Sequence, residues 1–175
     1  MNYTITNVKV SVKSSPIALS NVLKLKGVIK TYNNFIVLQS KYTYTIFKTS
    51  KLSENHINIT KIPKLEKIED AIENLKQHVQ FSTKKVTVDN IIASIKLGYR
   101  IDLVSVCEKK LFESMKYNSD IFPGLYVKFV IGTAILFHSG RIVLVGVKNE
   151  KDLLCLTQSI FASINMLSMM KEAGV

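Results

Sequence analysis

The chain says the same thing twice. Thr4-Ile5-Thr6-Asn7-Val8-Lys9-Val10-Ser11-Val12-Lys13 lines up with Thr87-Val88-Asp89-Asn90-Ile91-Ile92-Ala93-Ser94-Ile95-Lys96 at an offset of 83 residues, with Thr, Asn, Ser and Lys at matching positions. Phe35 and Phe122 each open a strand-like run, and Thr45-Ile46-Phe47 echoes Ile135-Leu136-Phe137. A period this long exceeds any solenoid unit, so the 175-residue chain reads as a duplicated unit with a pseudo-twofold axis. The boundary falls between two repeats, 1–83 and 84–175, with 80–85 as the connecting segment.

Each half reads as strand, helix, several antiparallel strands and a long helix. The first strands are 7–12 and 90–97. Ser15 is the expected N-cap of a helix over 16–25, and Asp102 that of a helix over 102–115. Strands follow at 34–41, 43–49 and 56–62, then at 124–130, 133–138 and 141–147. Ser139-Gly140 signals a tight hairpin, matched by a longer loop at 49–55. Helices over 64–79 and 150–170 close the halves.

The strands of the second half are apolar on both faces. A sheet with helices on one side ordinarily alternates apolar and polar residues. Here Ile142 and Leu144 point one way while Val143, Val145 and Val147 point the other, and Ala134 and Leu136 oppose Ile135 and Phe137. The long helix covers one face; the other carries Ile92, Ile135, Phe137, Val143 and Val145. Either this face is buried by another layer of the chain, or it is an interaction surface. Every strand is already used, which favours the surface. The matching face of the first half is more polar: Lys9, Ser11, Thr45, Phe47, Asn58 and Thr60.

Charge narrows the partner. Lys and Arg number 24 against 13 Asp and Glu, a net of +11, which favours a polyanion such as nucleic acid or an anionic surface. Residues 1–85 hold 14 of the basic and 5 of the acidic side chains. The two cysteines, Cys107 and Cys155, are too far apart to suggest a zinc site, and both read as small core residues of helices. No apolar run is long enough for a membrane span. His56, His78 and His138 have no metal-ligand spacing, Ser139 lacks a nucleophile-elbow context, and no nucleophile, base and oxyanion site assemble. The expectation is a non-enzymatic protein without cofactor or metal.

The run Phe122-Pro123-Gly124-Leu125-Tyr126, followed by Ile135-Leu136-Phe137-His138-Ser139-Gly140-Arg141-Ile142-Val143-Leu144-Val145-Gly146-Val147-Lys148, resembles the second repeat of TATA-box-binding proteins. Asn90-Ile91-Ile92-Ala93-Ser94 is similar to that family's Asn-Ile-Val strand. The likeness covers most of residues 86–165 and is weak over 4–80. It implies an α+β saddle: two pseudo-symmetric repeats, a curved antiparallel sheet of about ten strands, helices on the convex side and DNA beneath.

The resemblance also implies roles. Wedge pairs would be Phe122 with Phe137 and Phe35 with Phe47. Asn7 and Asn90 would contact minor-groove acceptors, with Ile92, Ile135, Val143, Val145, Asn58 and Thr60 on the base edges and sugars. Lys41, Lys128, Arg141 and Lys148 would meet phosphates. Tyr117 and Asp120 lie in the stirrup that would hold a basal transcription factor, where one of the family's acids is lost. Val145 replaces the family's threonine, and Lys9 an apolar residue.

The implied partners are AT-rich double-stranded DNA and the basal transcription and RNA polymerase machinery. A membrane is not among them, and the free protein has an apolar face that could pair with a second copy. The Lys/Ile/Asn-rich vocabulary fits an AT-rich genome, that of a large DNA virus or a protist. The place of action would be the nucleus, or a viral factory or virion. The alternative is a scaffold of the same fold that has lost DNA bending and binds proteins.

Overall fold

The computed structural model describes residues 2–48 and 54–172; positions 49–53 of the expected loop lie outside the described residues. The chain divides into two compact units, Thr6–Asn90 and Ile91–Val175, the second including Met1–Ile5.

The first unit holds strands β1 (Thr4–Ser14), β2 (Val28–Thr31), β3 (Phe35–Gln39), β4 (Thr43–Phe47) and β5 (Asn55–Ile62). They pair antiparallel in the order β2-β3-β4-β5-β1. Successive side chains of a strand point to opposite faces. Val8, Val10 and Val12 of β1 are accordingly buried, with Asn7, Lys9 and Ser11 half-buried between them. Helix α1 (Leu19–Val22) is short; a 3-10 turn at Leu65–Lys67 runs into α2 (Ile68–Lys76). Helix α2 buries Ala71, Ile72 and Leu75, a stripe at helical spacing.

A polar clasp fixes α2 to β4. The Tyr44 hydroxyl lies 2.9 Å from the Ala71 carbonyl and 2.8 Å from Asn74 Oδ1. Tyr42 donates to Asp70, and Lys41 Nζ sits 2.8 Å from the same carboxylate. The Asp70 hydrogen bond raises the Lys41 pKa, and Lys41 in turn lowers that of Asp70. Burial pushes the Tyr44 phenol up to about 12.

The second unit begins within β6 (Thr83–Lys96) and holds β7 (Met115–Asn118), β8 (Phe122–Phe129), β9 (Gly132–Phe137) and β10 (Arg141–Val147), in the order β6-β10-β9-β8-β7. Helix α3 (Leu103–Glu108) is capped as expected: Asp102 Oδ1 accepts from the Ser105 N–H at 3.2 Å. Helix α4 (Glu150–Glu172) packs on β9 and β10. It buries Leu153, Leu156, Ile160 and Ile164. Asn149 begins it, accepting from the Asp152 N–H at 2.8 Å while its amide donates to the Asp152 carboxylate.

The Ser139-Gly140 hairpin forms with Gly140 at φ 82. A Cβ there would lie 2.0 Å from the Tyr99 carbonyl oxygen, so glycine is required twice over.

Several expectations need correction. Ser15 caps no helix: α1 starts later, on Ala18, which makes no side-chain cap. Ser15 instead exchanges hydrogen bonds with Ser82, both at 2.9 Å. The helix expected to reach Met115 ends at Glu108; Lys110 turns left-handed (φ 48) and Met115 opens a strand. Residues 83–85 of the expected linker already belong to β6, and the short strands β2 and β7 were not foreseen. Cys155 is exposed and Cys107 half-buried, so neither is a core residue. Val147 is buried on the helix side, because a bulge at Gly146 (φ 83) flips the alternation.

Candidate nucleic-acid interface

The open sheet face of the second unit is built from four strands. Ile135 stands opposite Val143, and Val143 opposite Ser94. Val145 stands opposite Thr133. Ile92, Ile135, Phe137, Val143 and Val145 are all half-buried while Ile91, Leu136, Ile142 and Leu144 on the other face are buried. No layer of the unit closes over the five, so this is an exposed apolar surface, not a second core.

At its β8–β9 end the Phe122 and Phe137 rings stand 5.9 Å apart at 63°, and Phe122 also packs on Tyr126 at 5.1 Å. The residue directly opposite Phe137 is Gly124. A Cβ on Gly124 would lie 2.5 Å from Phe122 Cε1, 2.8 Å from Ile135 Cγ2 and 3.1 Å from Phe137 Cε1. The glycine is the floor on which the Phe122 ring lies.

The first unit makes its ring pair another way. Phe35 is the direct cross-strand partner of Phe47, and their rings are again 5.9 Å apart. Tyr32 covers Phe35 at 4.3 Å. Matching the two ladders residue by residue, Phe35 stands where Gly124 stands, and the counterpart of Phe122 is Asn33. The beginning of each run in sequence is therefore two residues out of step with its place in the sheet.

The same slip decides the basic residues. Lys128 stands opposite Thr133 as Gln39 stands opposite Thr43, so Gln39 and not Lys41 is its counterpart. Lys41 is drawn to Asp70 on α2, on the helix side of the sheet. Lys128, Arg141 and Lys148 are exposed, and Lys128 and Lys148 border one shallow hollow.

The rest of the first unit's open face is polar. Thr45 pairs with Asn58, Asn58 with Ser11, and Thr60 with Thr43. Asn7 is held: its Oδ1 accepts from the Lys61 N–H at 2.8 Å, which directs the amide's donor edge away from the strand. Lys61 is itself a bulge residue at φ 62, the counterpart of Gly146 in the other unit. Asn90 is half-buried on β6. In the stirrup, Asn118 organises the turn, its Oδ1 accepting from the Asp120 N–H at 3.0 Å; Asp120 is exposed and Tyr117 half-buried. An open hollow beside it is lined by Lys116, Asn118, Ile121, Phe122, Gly124 and Tyr126. Among the described residues no His, Cys, Asp and Glu group into a metal set.

Sequence reading overlooked Tyr32, Tyr126 and Asp89. The tyrosines could have been found by asking which aromatics flank each phenylalanine on its own strand or turn. Asp89 gives no such signal; it gains its place only when β6 is laid beside β1.

Comparison with known proteins bears on the fold and on the sequence of the second unit. Residues 85–167 match the family model described as transcription factor TFIID, or TATA-binding protein. That match spans just under half of the chain, nearly all of it in the second unit, and there the chain is similar to TATA-binding proteins. It is 38% identical over 68 residues to the TATA-box-binding protein of Pyrobaculum calidifontis, covering 38% of this chain and 33% of that protein. With the TATA-box-binding protein of Pyrodictium occultum it shares 29% identity over 131 residues, 73% of this chain and 64% of the relative. Its fold matches the Methanococcus jannaschii TBP with a TM-score of 0.81 at 22% identity, over 95% of this chain and 99% of that one. The α+β, TBP-like saddle fold expected from the sequence is thus the fold found. Sequence likeness to the family is concentrated in the second unit, where Phe122, Gly124 and Phe137 form one cluster.

Proposed function

We propose that this protein grips AT-rich duplex DNA by the minor groove, bends it, and so marks a site where transcription initiation factors and an RNA polymerase assemble. The observation that carries the reading is the Phe122–Phe137 pair, held over Gly124 at the edge of an exposed aliphatic face. Apolar wedges inserted between base steps kink a duplex toward the major groove, a mode for which TATA-binding proteins are the standing example. In this reading Phe122 and Phe137 open one step, and Phe35 and Phe47 another.

Ile92, Ile135, Val143 and Val145 follow the sugars and base edges, which exclude water without demanding one sequence. Asn7 and Asn90 donate to A·T acceptors, which are nearly alike in both pair orientations. Asn58 and Thr60 add polar contacts in the first half. Lys128, Arg141 and Lys148 meet phosphates, each steepening the salt dependence by about 0.9 log units per log unit of salt. Tyr117 and Asp120 remain the candidates for a basal factor, and the two units act as the two repeats of the saddle. Lys41 is left out of the phosphate set because Asp70 holds it on the helix side.

The test is binding and end-to-end energy transfer on a short AT-rich duplex, across salt, for wild type, Phe122→Ala and Phe137→Ala. Wild type should bind and shorten the end-to-end distance, and either substitution should abolish the shortening. Weak, unbent binding indifferent to both would favour the second reading, a protein-binding scaffold. The polar first-unit face and its differently built ring pair are what speak for it.

A further inference from the structure

The first unit's open face contains a carboxylate. Ser11 stands opposite Asn58 across β1 and β5, and its Oγ lies 3.0 Å from Asn58 Oδ1. The same hydroxyl donates to Asp89 Oδ2, and Lys9 Nζ approaches that oxygen to 3.6 Å. Asp89 is about a third exposed, at 29% of its side-chain surface, and Lys9 39%. A hydroxyl has one proton. When Asp89 takes it, the Asn58 amide must turn its NH2 edge to Ser11, which sends its oxygen outward. Among the described residues Asp89 Oδ1 has no partner. The cluster thus offers two acceptors side by side, with an ammonium that offsets the carboxylate's repulsion from phosphates.

Among the described residues nothing similar stands in the second unit. Lys9 and Asn58 correspond there to Ile92 and Val143. Acceptors are the wrong chemistry for A·T pairs, whose minor-groove edges carry acceptors only; guanine adds the sole minor-groove donor, its 2-amino group.

We infer that Asp89, positioned by Ser11 and Lys9, accepts a hydrogen bond from a guanine 2-amino group, so that the first unit selects a G·C pair within an otherwise A·T site. This rests on the proposed minor-groove reading. It makes Asp89 a specificity residue, and Lys9 and Ser11 positioning residues.

The test scans one G·C pair along an AT-rich duplex and replaces it with inosine·C, which lacks only the 2-amino group. Conversely, 2,6-diaminopurine·T adds that group to an A·T pair. At one or two adjacent steps, wild type should bind G·C about five- to tenfold tighter than inosine·C. Diaminopurine should gain a similar factor there. Asp89→Ala should erase both differences while still bending the duplex; Asp89→Asn, which keeps an acceptor oxygen, should retain part of them. If wild type binds and bends DNA yet prefers inosine or is indifferent at every step, the inference is wrong and the minor-groove reading survives. A guanine preference that persists in Asp89→Ala would also overturn it. If no duplex is bound at all, both readings fall together.

Discussion

The two units set their phenylalanine rings at the same separation, 5.9 Å, by different means. In the second, Phe122 reaches Phe137 diagonally across Gly124; in the first, Phe35 faces Phe47 directly, and Asn33 stands where Phe122 would be. The spacing of the rings is shared although the backbone position is not. What the fold specifies is therefore a pair of rings at the edge of a sheet, not a residue number. The faces beside the rings also differ. Ile92, Ile135, Val143 and Val145 make the second unit's face a hydrophobic one, while Lys9, Thr45, Asn58 and Thr60 make the first unit's a hydrogen-bonding one. In the proposed complex the second would grip by shape and excluded water, and the first would have to satisfy its polar groups on the duplex.

The largest expected consequence of this difference is in the rings. Phe122 rests on a glycine, and the ring beside it, Tyr126, stands further off, at 5.1 Å. Phe35 is covered by Tyr32, a second ring 4.3 Å away that can occupy part of the vacated space. If each ring stacks on a base in the proposed complex, Phe122→Ala should weaken duplex binding by about 2–3 kcal/mol, and Phe35→Ala by about 1 kcal/mol. Equal losses in an equilibrium titration would break the comparison. A graft sharpens it: Asn33→Phe with Phe35→Gly rebuilds the second unit's arrangement in the first. That double variant should bind at least as tightly as wild type, whereas Phe35→Gly alone should lose affinity.

The next effect belongs to the first unit alone. Tyr44 stands opposite Ile59 as Ala134 stands opposite Leu144, so the second unit has no phenol at this place. Burial raises the Tyr44 pKa to about 12, above the value near 10 of an unfolded tyrosine. The folded state keeps the proton that the unfolded state loses first. Its contribution is complete below pH 10 and declines as pH rises from 10 toward 12. Alkaline denaturation should cost the first unit up to about 2 kcal/mol over that interval more than it costs Tyr44→Phe, whose slope should be flatter. At neutral pH, Tyr44→Phe should be about 1 kcal/mol less stable than wild type, from the lost bond to Ala71 and Asn74. Chemical denaturation at pH 7 and 11 measures both, and parallel slopes would remove Tyr44 as the cause.

Much of this was legible beforehand, and the limits have physical causes. The Ser139-Gly140 hairpin, the Asp102 cap and the opposed faces of β9 and β10 follow from local chemistry, and each formed as read. Val147 was placed on the wrong face because alternation is a strict rule only without a bulge, and Gly146 inserts one. Phe35 and Lys41 were matched by counting from the first phenylalanine of each run, but register is set by pairing partners, which a single sequence does not display. The strands β2 and β7 are four residues each, too short for a period to show. Asp89 could be found only by pairing β6 with β1, because its partners Lys9 and Ser11 lie some 80 residues away in the chain.

The smallest effects concern the bulges. Both units bend the strand at the same place with a left-handed residue, Lys61 at φ 62 and Gly146 at φ 83. For an L-residue that conformation costs roughly 1–2 kcal/mol, while glycine adopts it freely at an entropic cost of about 0.5–1 kcal/mol in the unfolded chain. The two sites should therefore respond with opposite signs. Gly146→Ala meets no obstruction, since the nearest atom to an added Cβ is Gly132 Cα at 3.7 Å, so its cost is the backbone's alone, about 1 kcal/mol. Lys61→Gly should gain about 0.5 kcal/mol, and it keeps the N–H that Asn7 accepts. Denaturation midpoints of the two variants against wild type decide the matter. A destabilised Lys61→Gly would mean that the lysine side chain makes a contribution larger than the strain of its backbone, and the two bulges would then be alike in shape but not in energy.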